Sequence, residues 1–299
     1  MEKNLTTGSV GRQLIGFSLP YLLSYLLQTL YGMADLFIIG QYEGVAGTTA
    51  VAVGSQVMHM LTVMIVGLAM GTTVSIARAI GADDRPQAAA ATGNTVTLFL
   101  SLSLVLTVGL LLLRRPITAV GIVEKIIGFL FLVPSSMLSA VSALGAQNLG
   151  AGKPERAKQT LFWAIGLACG FGAVTVVAVQ FLAEALVGLF TPDQTAVLAG
   201  GQYLRGYIWD SWFGGIQFSF SGYFCAIGRS GLSFLHNTLS ILLVRIPGAY
   251  LASRFFPATL LPMGLANAAG SLFSILVCLI AYGALLHGER RGHGALSDR

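Results

Sequence analysis

The sequence predicts an all-α protein, a polytopic transmembrane helix bundle of about eight helices, and three observations carry that expectation. Charged residues make up only 10% of the 299 residues and hydrophobic ones 55%, whereas a soluble domain carries about 25% charged residues to wet its surface. Mean hydropathy is +0.78, and apolar runs recur at the ~20-residue length that crosses a bilayer core as a helix. Glycine occurs 37 times, above the usual ~7%, as suits helices packed in lipid, where small residues let backbones approach closely.

The runs place helices near residues 14–39, 48–77, 90–113, 122–148, 160–189, 197–226, 232–254 and 258–286. The first is too long for a signal-peptide core and lacks a small-residue cleavage site after it, so it reads as a retained helix. Breaks such as Gly81 to Gln87 and Gly150 to Lys158 carry turn residues and charge. Lys and Arg in short loops mark the cytoplasmic side of a membrane. With the N-terminus inside, Lys3, Arg12, Arg78, Arg85, Lys153, Arg156, Lys158, Arg229, Arg290, Arg291 and Arg299 fall inside, against Arg114, Arg115, Lys125 and Arg254 outside. That bias predicts a multi-pass protein of the cell membrane with both termini cytoplasmic. The net charge of +5 lies between apolar segments rather than on one face, which argues against nucleic acid as a partner. Cys169, Cys225 and Cys278 sit apart inside apolar runs and read as small packing residues.

The chain also repeats itself. At an offset of 69 residues, Ala77, Gly81, Ala82, Ala88, Leu98 and Val105 fall on Ala146, Gly150, Ala151, Ala157, Leu167 and Val174. The repeat superposes the second and third runs on the fourth and fifth, in the same direction, as in a parallel repeat about an axis along the membrane normal.

Asp35 is the sharpest chemical signal, because an acid inside an apolar helix costs on the order of 2.5–3.5 kcal/mol to insert. Gln28, Tyr31 and Asp35 share one helix face by their spacing, so an amide and a hydroxyl can bond the carboxylate. Such a group is suited to binding a coupling ion, and the alternative is an acid hydrated at the outer interface. Pro20 withholds a hydrogen bond from the carbonyl of Gly16 and lets the helix bend. Asp210, flanked by Trp209 and Trp212, fits either a substrate-facing cluster in a cavity or an interfacial aromatic belt. Arg205, five residues earlier, is poorly placed for a helical pair with it. Glu184 reads as interfacial, Arg245 as a snorkelling residue, Gln147 and Asn148 as packing residues that bond across helices. His59 stands alone, and His236, His287 and His293 are expected at loops or in the tail. No metal-ligand spacing, Walker A motif or catalytic triad appears, so neither a metal, a cofactor nor an enzyme activity is expected.

The segment containing "LLQTLYGMADLFIIGQ", within Tyr21 to Gln41, resembles the first helix of the MATE (multidrug and toxic compound extrusion) family of efflux transporters. "AVGIVEKI" at Ala119 to Ile126 and "ALGAQNLGAGKPERA" at Ala143 to Ala157 resemble the start and inner end of that family's eighth helix. "GQYLRGY" at Gly201 to Tyr207 and "LVRIPGAYLASR" at Leu243 to Arg254 resemble its tenth and eleventh. The family has twelve helices in two six-helix lobes, and here the first three run straight into the eighth, with the fourth to seventh missing. The resemblance implies a partial N-terminal lobe of three helices over residues 1–117 and a C-terminal lobe of five over 118–299. Because four helices are missing, each remaining segment keeps its orientation.

What the resemblance implies is secondary active efflux of amphipathic or cationic drugs by antiport with H+ or Na+. Asp35 would couple the ion, with Tyr31 and Gln28 around it and Pro20 bending the helix. Small-molecule substrates and the lipid bilayer are the expected partners. A flippase for lipid-linked precursors from the same superfamily would need a basic cavity, to which only Arg205 and Arg245 could contribute. A non-transporting remnant or assembly partner is the other alternative, since the family draws polar residues from the missing helices. Any activity of so short a chain is expected to require a homo-oligomer.

Overall fold

The computed structural model describes residues 5–42, 65–113, 122–190, 194–256 and 259–297, and the regular elements among them are helices. In chain order these are α1 (Val10–Tyr42), α2 (Ile65–Gly81), α3 (Arg85–Leu113), α4 (Ile122–Leu130), α5 (Leu132–Gly150) and α6 (Pro154–Gly188). There follow α7 (Gln194–Ala226), α8 (Ser230–Ser240), a π-helical turn (Ile241–Arg245), α9 (Ile246–Phe255) and α10 (Leu261–Ser297). The eight apolar runs map onto this order, the second being described only from Ile65. Among the described residues, Pro154–Gly188 and Leu261–His287 are long and apolar enough to cross a membrane. Both are two-faced. Val174, Phe181, Leu276 and Ile280 stand exposed, whereas Ala164, Ala168, Ile275 and Cys278 are buried. Large exposed apolar faces of this kind are at home against lipid.

Two runs expected as single helices are interrupted, each for a reason written in proline. Between α4 and α5 the backbone turns at Phe131, three residues before Pro134, which has no N–H to give the carbonyl of Leu130. That carbonyl is bonded instead by the Ser211 hydroxyl of α7 at 2.8 Å. In the seventh run Pro247 cannot donate to Leu243, and the preceding turn widens so that the Ile246 N–H bonds the carbonyl of Ile241. Single π turns relieve such a local mismatch and recur at functional sites.

Two larger apolar clusters, and a smaller one of Val74, Ala146 and Ala226, hold the bundle among the described residues. Leu14, Met137, Leu144, Leu161, Phe224 and Cys278 belong to one; Ile126, Leu130, Val176, Val179, Leu204 and Ile208 belong to the other. Lipid is as apolar as leucine, so close backbone packing must supply much of what the hydrophobic effect supplies in water. Two glycine crossings do this. A Cβ on Gly81 would lie 2.1 Å from the Gln147 carbonyl oxygen, and one on Gly150 would lie 2.1 Å from that of Arg78. These four residues are equivalent under the 69-residue offset, so the two copies of the repeat meet across a local twofold. Their loops share a shape as well, since Asp83 (φ 57°) and its equivalent Gly152 (φ 70°) are both left-handed, a conformation Asp tolerates better than most residues. Gly206 and Gly264 form the second crossing, between α7 and α10, each within 2.4 Å of the other helix's backbone if given a Cβ.

The chain's start is strapped to the ends of α5 and α6. The Leu5 N–H bonds Gln147 Oε1 (3.0 Å), and Asn148 Nδ2 returns a bond to the Leu5 carbonyl (3.3 Å). Lys153 Nζ holds the Thr6 carbonyl at 2.8 Å, and Arg156 Nη2 holds Gln13 Oε1 at 3.3 Å. Further along, Gly11 lies on the Trp163 ring and Leu14 is fully buried, so α1 packs on α4, α5 and α6. Gln147 and Asn148 therefore bond across elements, as their sequence positions suggested. At the same end of the bundle Arg78 Nη2 bonds the Ala226 carbonyl at 2.6 Å, placing a cation where the α7 dipole ends.

Gly150→Val should lower the melting temperature of the detergent-purified protein, with a loss on the order of 1–3 kcal/mol from overpacking. Arg78→Ala removes one charge-assisted hydrogen bond, worth about 1.5–3 kcal/mol. It should destabilise measurably in the same assay and leave the Gly81–Gly150 crossing intact, so a disulfide engineered beside that crossing should still form.

Candidate functional site

The described polar groups concentrate in one seam between α7 and α10. On α7, Tyr203, Tyr207, Asp210, Gln217 and Ser221 fall on one face by their helical spacing; Asn267, Ser271 and Ser274 do so on α10. At one end Thr259 Oγ1 donates to Gln202 Oε1 (2.9 Å), and Asn267 Nδ2 reaches the Tyr203 hydroxyl (3.4 Å). In the middle Asp210 Oδ1 accepts from the Ser271 hydroxyl (2.5 Å) and from Arg245 Nη2 (3.1 Å), and the same Nη2 contacts Ser271 Oγ at 2.7 Å. Tyr207 stands beside the carboxylate. Towards the other end His236 lies between two hydroxyls, Ser221 Oγ at 2.8 Å from Nε2 and Ser274 Oγ at 2.6 Å from Nδ1.

Asp210 is fully enclosed, and the Arg245 side chain retains 21% exposure. Removing either charge from water without the other is costly, because a lone buried ion has nothing to replace its hydration. Sequence spacing left Arg245 as a snorkelling residue; the structure instead pairs it with Asp210, reaching inward from the π turn rather than out to the interface. The room for that reach comes from Gly270, where a Cβ would lie 2.4 Å from Arg245 Cγ. Both residues were visible as ionisable groups inside apolar runs, but 35 positions separate them and no periodicity links them. His236 is a second correction. Expected at a loop, it is 2% exposed because α8 begins at Ser230 and carries it almost two turns into the bundle.

Arg205, unsuited to a pair with Asp210 by spacing, binds α6: its Nη1 is 3.0 Å from Glu184 Oε1 and its Nε donates to the Gln180 carbonyl. Glu184 is thereby an ion-pair partner at 42% side-chain exposure. Trp209 and Trp212 are half-buried with ring centroids 5.7 Å apart, pack beside the second apolar cluster, and the Trp212 ring lies on Gly172. Pro20 is exposed on α1. The backbone positions of Gln28, Tyr31 and Asp35 are on α1, and their side chains lie outside the described residues. Among the described residues no three His, Cys, Asp or Glu side chains gather as a metal site. A cleft of about 670 Å³ opens between α2, α3 and the α7–α8 turn, lined in part by Met70, Ser75, Arg78, Gln87, Asn94 and Ser230.

The MatE family pattern matches residues 20–119 and, a second time, residues 114–251. Residues of this chain are 35% identical over 98 positions to a probable multidrug resistance protein, NorM, of Thermotoga maritima, covering 33% of this chain and 21% of that protein. They are 29% identical over 141 positions to an FAD transporter of Shewanella oneidensis, covering 46% and 30%. Identity to the probable multidrug resistance protein YoeA of Bacillus subtilis is 30% over 100 positions, covering 33% and 22%. The chain thus spans less than a third of the length of each of these relatives. A crystal structure described as MATE in complex with MaL6 superposes with a TM-score of 0.75 at 16% identity, covering both chains in full, which shows a shared fold. With the family pattern laid twice over most of its length and the helical fold in common, the chain belongs to the MatE family of multi-pass membrane transporters.

Proposed function

We propose that this chain is a secondary active exporter of amphipathic or cationic small molecules, driven by antiport of H+ or Na+ across the cell membrane. The observation that carries the reading is the double match of the MatE pattern. The two matches overlap at residues 114–119, which favours a boundary near 117 between a partial first lobe and a second lobe reaching to 299. Rocking of two such units about a midplane site is how repeat-built carriers alternate access. The excess of Lys and Arg in the loops assigned to the inside supports cytoplasmic termini.

Within this reading Asp35 binds the coupling ion, with Tyr31 and Gln28 shaping its shell and Pro20 providing the bend. A carboxylate in an apolar helix is retained at a cost in insertion energy, which favours a role for it. Asp210, with Trp209 and Trp212 beside it, is assigned to substrate recognition in the second lobe. The flippase alternative is disfavoured by the two cations it would require, because Arg205 is engaged by Glu184 and Arg245 by Asp210. The missing helices would have supplied further polar residues, so activity is assigned to an oligomer of this chain rather than to a lone copy.

Cells expressing the chain should extrude ethidium, and Asp35→Asn should reduce that efflux at least tenfold, about 1.4 kcal/mol or more of lost coupling. Efflux indifferent to Asp35→Asn would sink the coupling assignment. In the same preparation, light scattering of the purified protein should show an assembly larger than one copy, and efflux from a strictly monomeric protein would sink the oligomer.

A further inference from the structure

Asp210 and Arg245 are held in a way that a purely structural pair does not require. Arginine commonly grips a carboxylate with two parallel N–H bonds, but here a single prong reaches Oδ1. Asp210 Oδ2 is buried without a hydrogen bond, and so is Arg245 Nε. The guanidinium stem crosses α10 only because residue 270 is glycine, and it starts from the one turn among the described residues with π-helical bonding. The cation thus reaches, from a π turn, an anion whose second oxygen it leaves unbonded.

We propose that Asp210, Ser271 and Tyr207 form a binding site for a monovalent organic cation bearing N–H donors, an amine or a guanidinium, and that Arg245 is a tethered stand-in which such a ligand displaces. Arg245 Nη2 sits 2.7 Å from Ser271 Oγ and 3.1 Å from Asp210 Oδ1, where the nitrogen of a bound ammonium would find two oxygens. Oδ2 remains to accept a further N–H of the ligand, and the Tyr207 hydroxyl stands beside the carboxylate as part of the site's wall. A lone carboxylate enclosed in the bundle has nothing to replace its hydration, so the resident cation stabilises the site whenever no ligand is present. The tether supplies that cation and lowers the apparent affinity by the fraction of time it is seated. Its departure also frees the π turn from α10, which links occupancy to the bend before Pro247. As a statement of biological substrate class this rests on the exporter reading; the binding chemistry does not.

The test uses octylguanidinium binding to the full-length detergent-purified protein, followed by calorimetry. Removing the competitor in Arg245→Met should tighten binding at least ~10-fold, and Asp210→Asn/Arg245→Met should abolish it. Gly270→Ala, which crowds the stem and keeps both charges, should also tighten binding, and it serves if Arg245→Met does not fold. Tetraphenylphosphonium, a cation without N–H donors, should show no change among these proteins. Unchanged or weaker octylguanidinium binding in the folded Arg245→Met and Gly270→Ala proteins would overturn the proposal, as would equal tightening for tetraphenylphosphonium or Na+. Efflux plays no part in this readout: failed efflux with the expected binding shift sinks the exporter reading alone.

Discussion

A helix bundle in lipid must answer most of its polar atoms from within itself, because hydrocarbon offers no hydrogen bond to an orphaned carbonyl or charge. That constraint explains which side chains sit between α7 and α10 and why they come in sets. Asp210 is bonded by Ser271 and Arg245, His236 by Ser221 and Ser274. It explains the serine on α7 as well: Pro134 strips the Leu130 carbonyl of its helical partner, and Ser211 supplies another from a neighbouring helix. Proline and its remedy are 77 residues apart in sequence and adjacent in space. The polar seam is therefore also a structural tie, joining the bent helices α4–α5 and α8–α9 to the straighter α7 and α10.

Close backbone approach does the rest. Where Gly81 meets Gly150, and Gly206 meets Gly264, no side chain intervenes, so each crossing gains dispersion contacts along the main chain. The first of these crossings lies on the internal repeat, which makes the repeat more than a trace of duplication. Equivalent residues face each other, and the contact can be close only because both copies kept the glycine.

Much of this was legible in the sequence because membrane helices announce themselves by length and composition. The order and approximate limits of the runs follow from apolar length alone, and the loops at Gly81 and Gly150 follow from turn residues. Helix interruptions were not legible in full: Pro134 and Pro247 mark where a bond is lost, but not whether the helix bends, breaks or widens into a π turn. The seam was legible only as separate signals. Asp210, Arg245 and His236 each appear as a polar residue among apolar ones, and pairing them requires knowing that α7, the π turn and α10 converge. Arg205 shows the same limit, since its partner Glu184 lies on a different helix. The face shared by Gln28, Tyr31 and Asp35 is an expectation from helical spacing alone, and those side chains lie outside the described residues.

The strap at the chain's start has a consequence for the order of assembly. Leu5, Thr6 and Gln13 find their partners on Gln147, Asn148, Lys153 and Arg156, which leave the ribosome more than a hundred residues later. At about 5–20 residues per second, α1 waits on the order of ten seconds before its docking surface exists. α1 thus waits for α5 and α6 before it can be seated, and its insertion cannot lean on those contacts. During that interval the helix must be tolerated by lipid, water or the insertion machinery rather than by the finished protein.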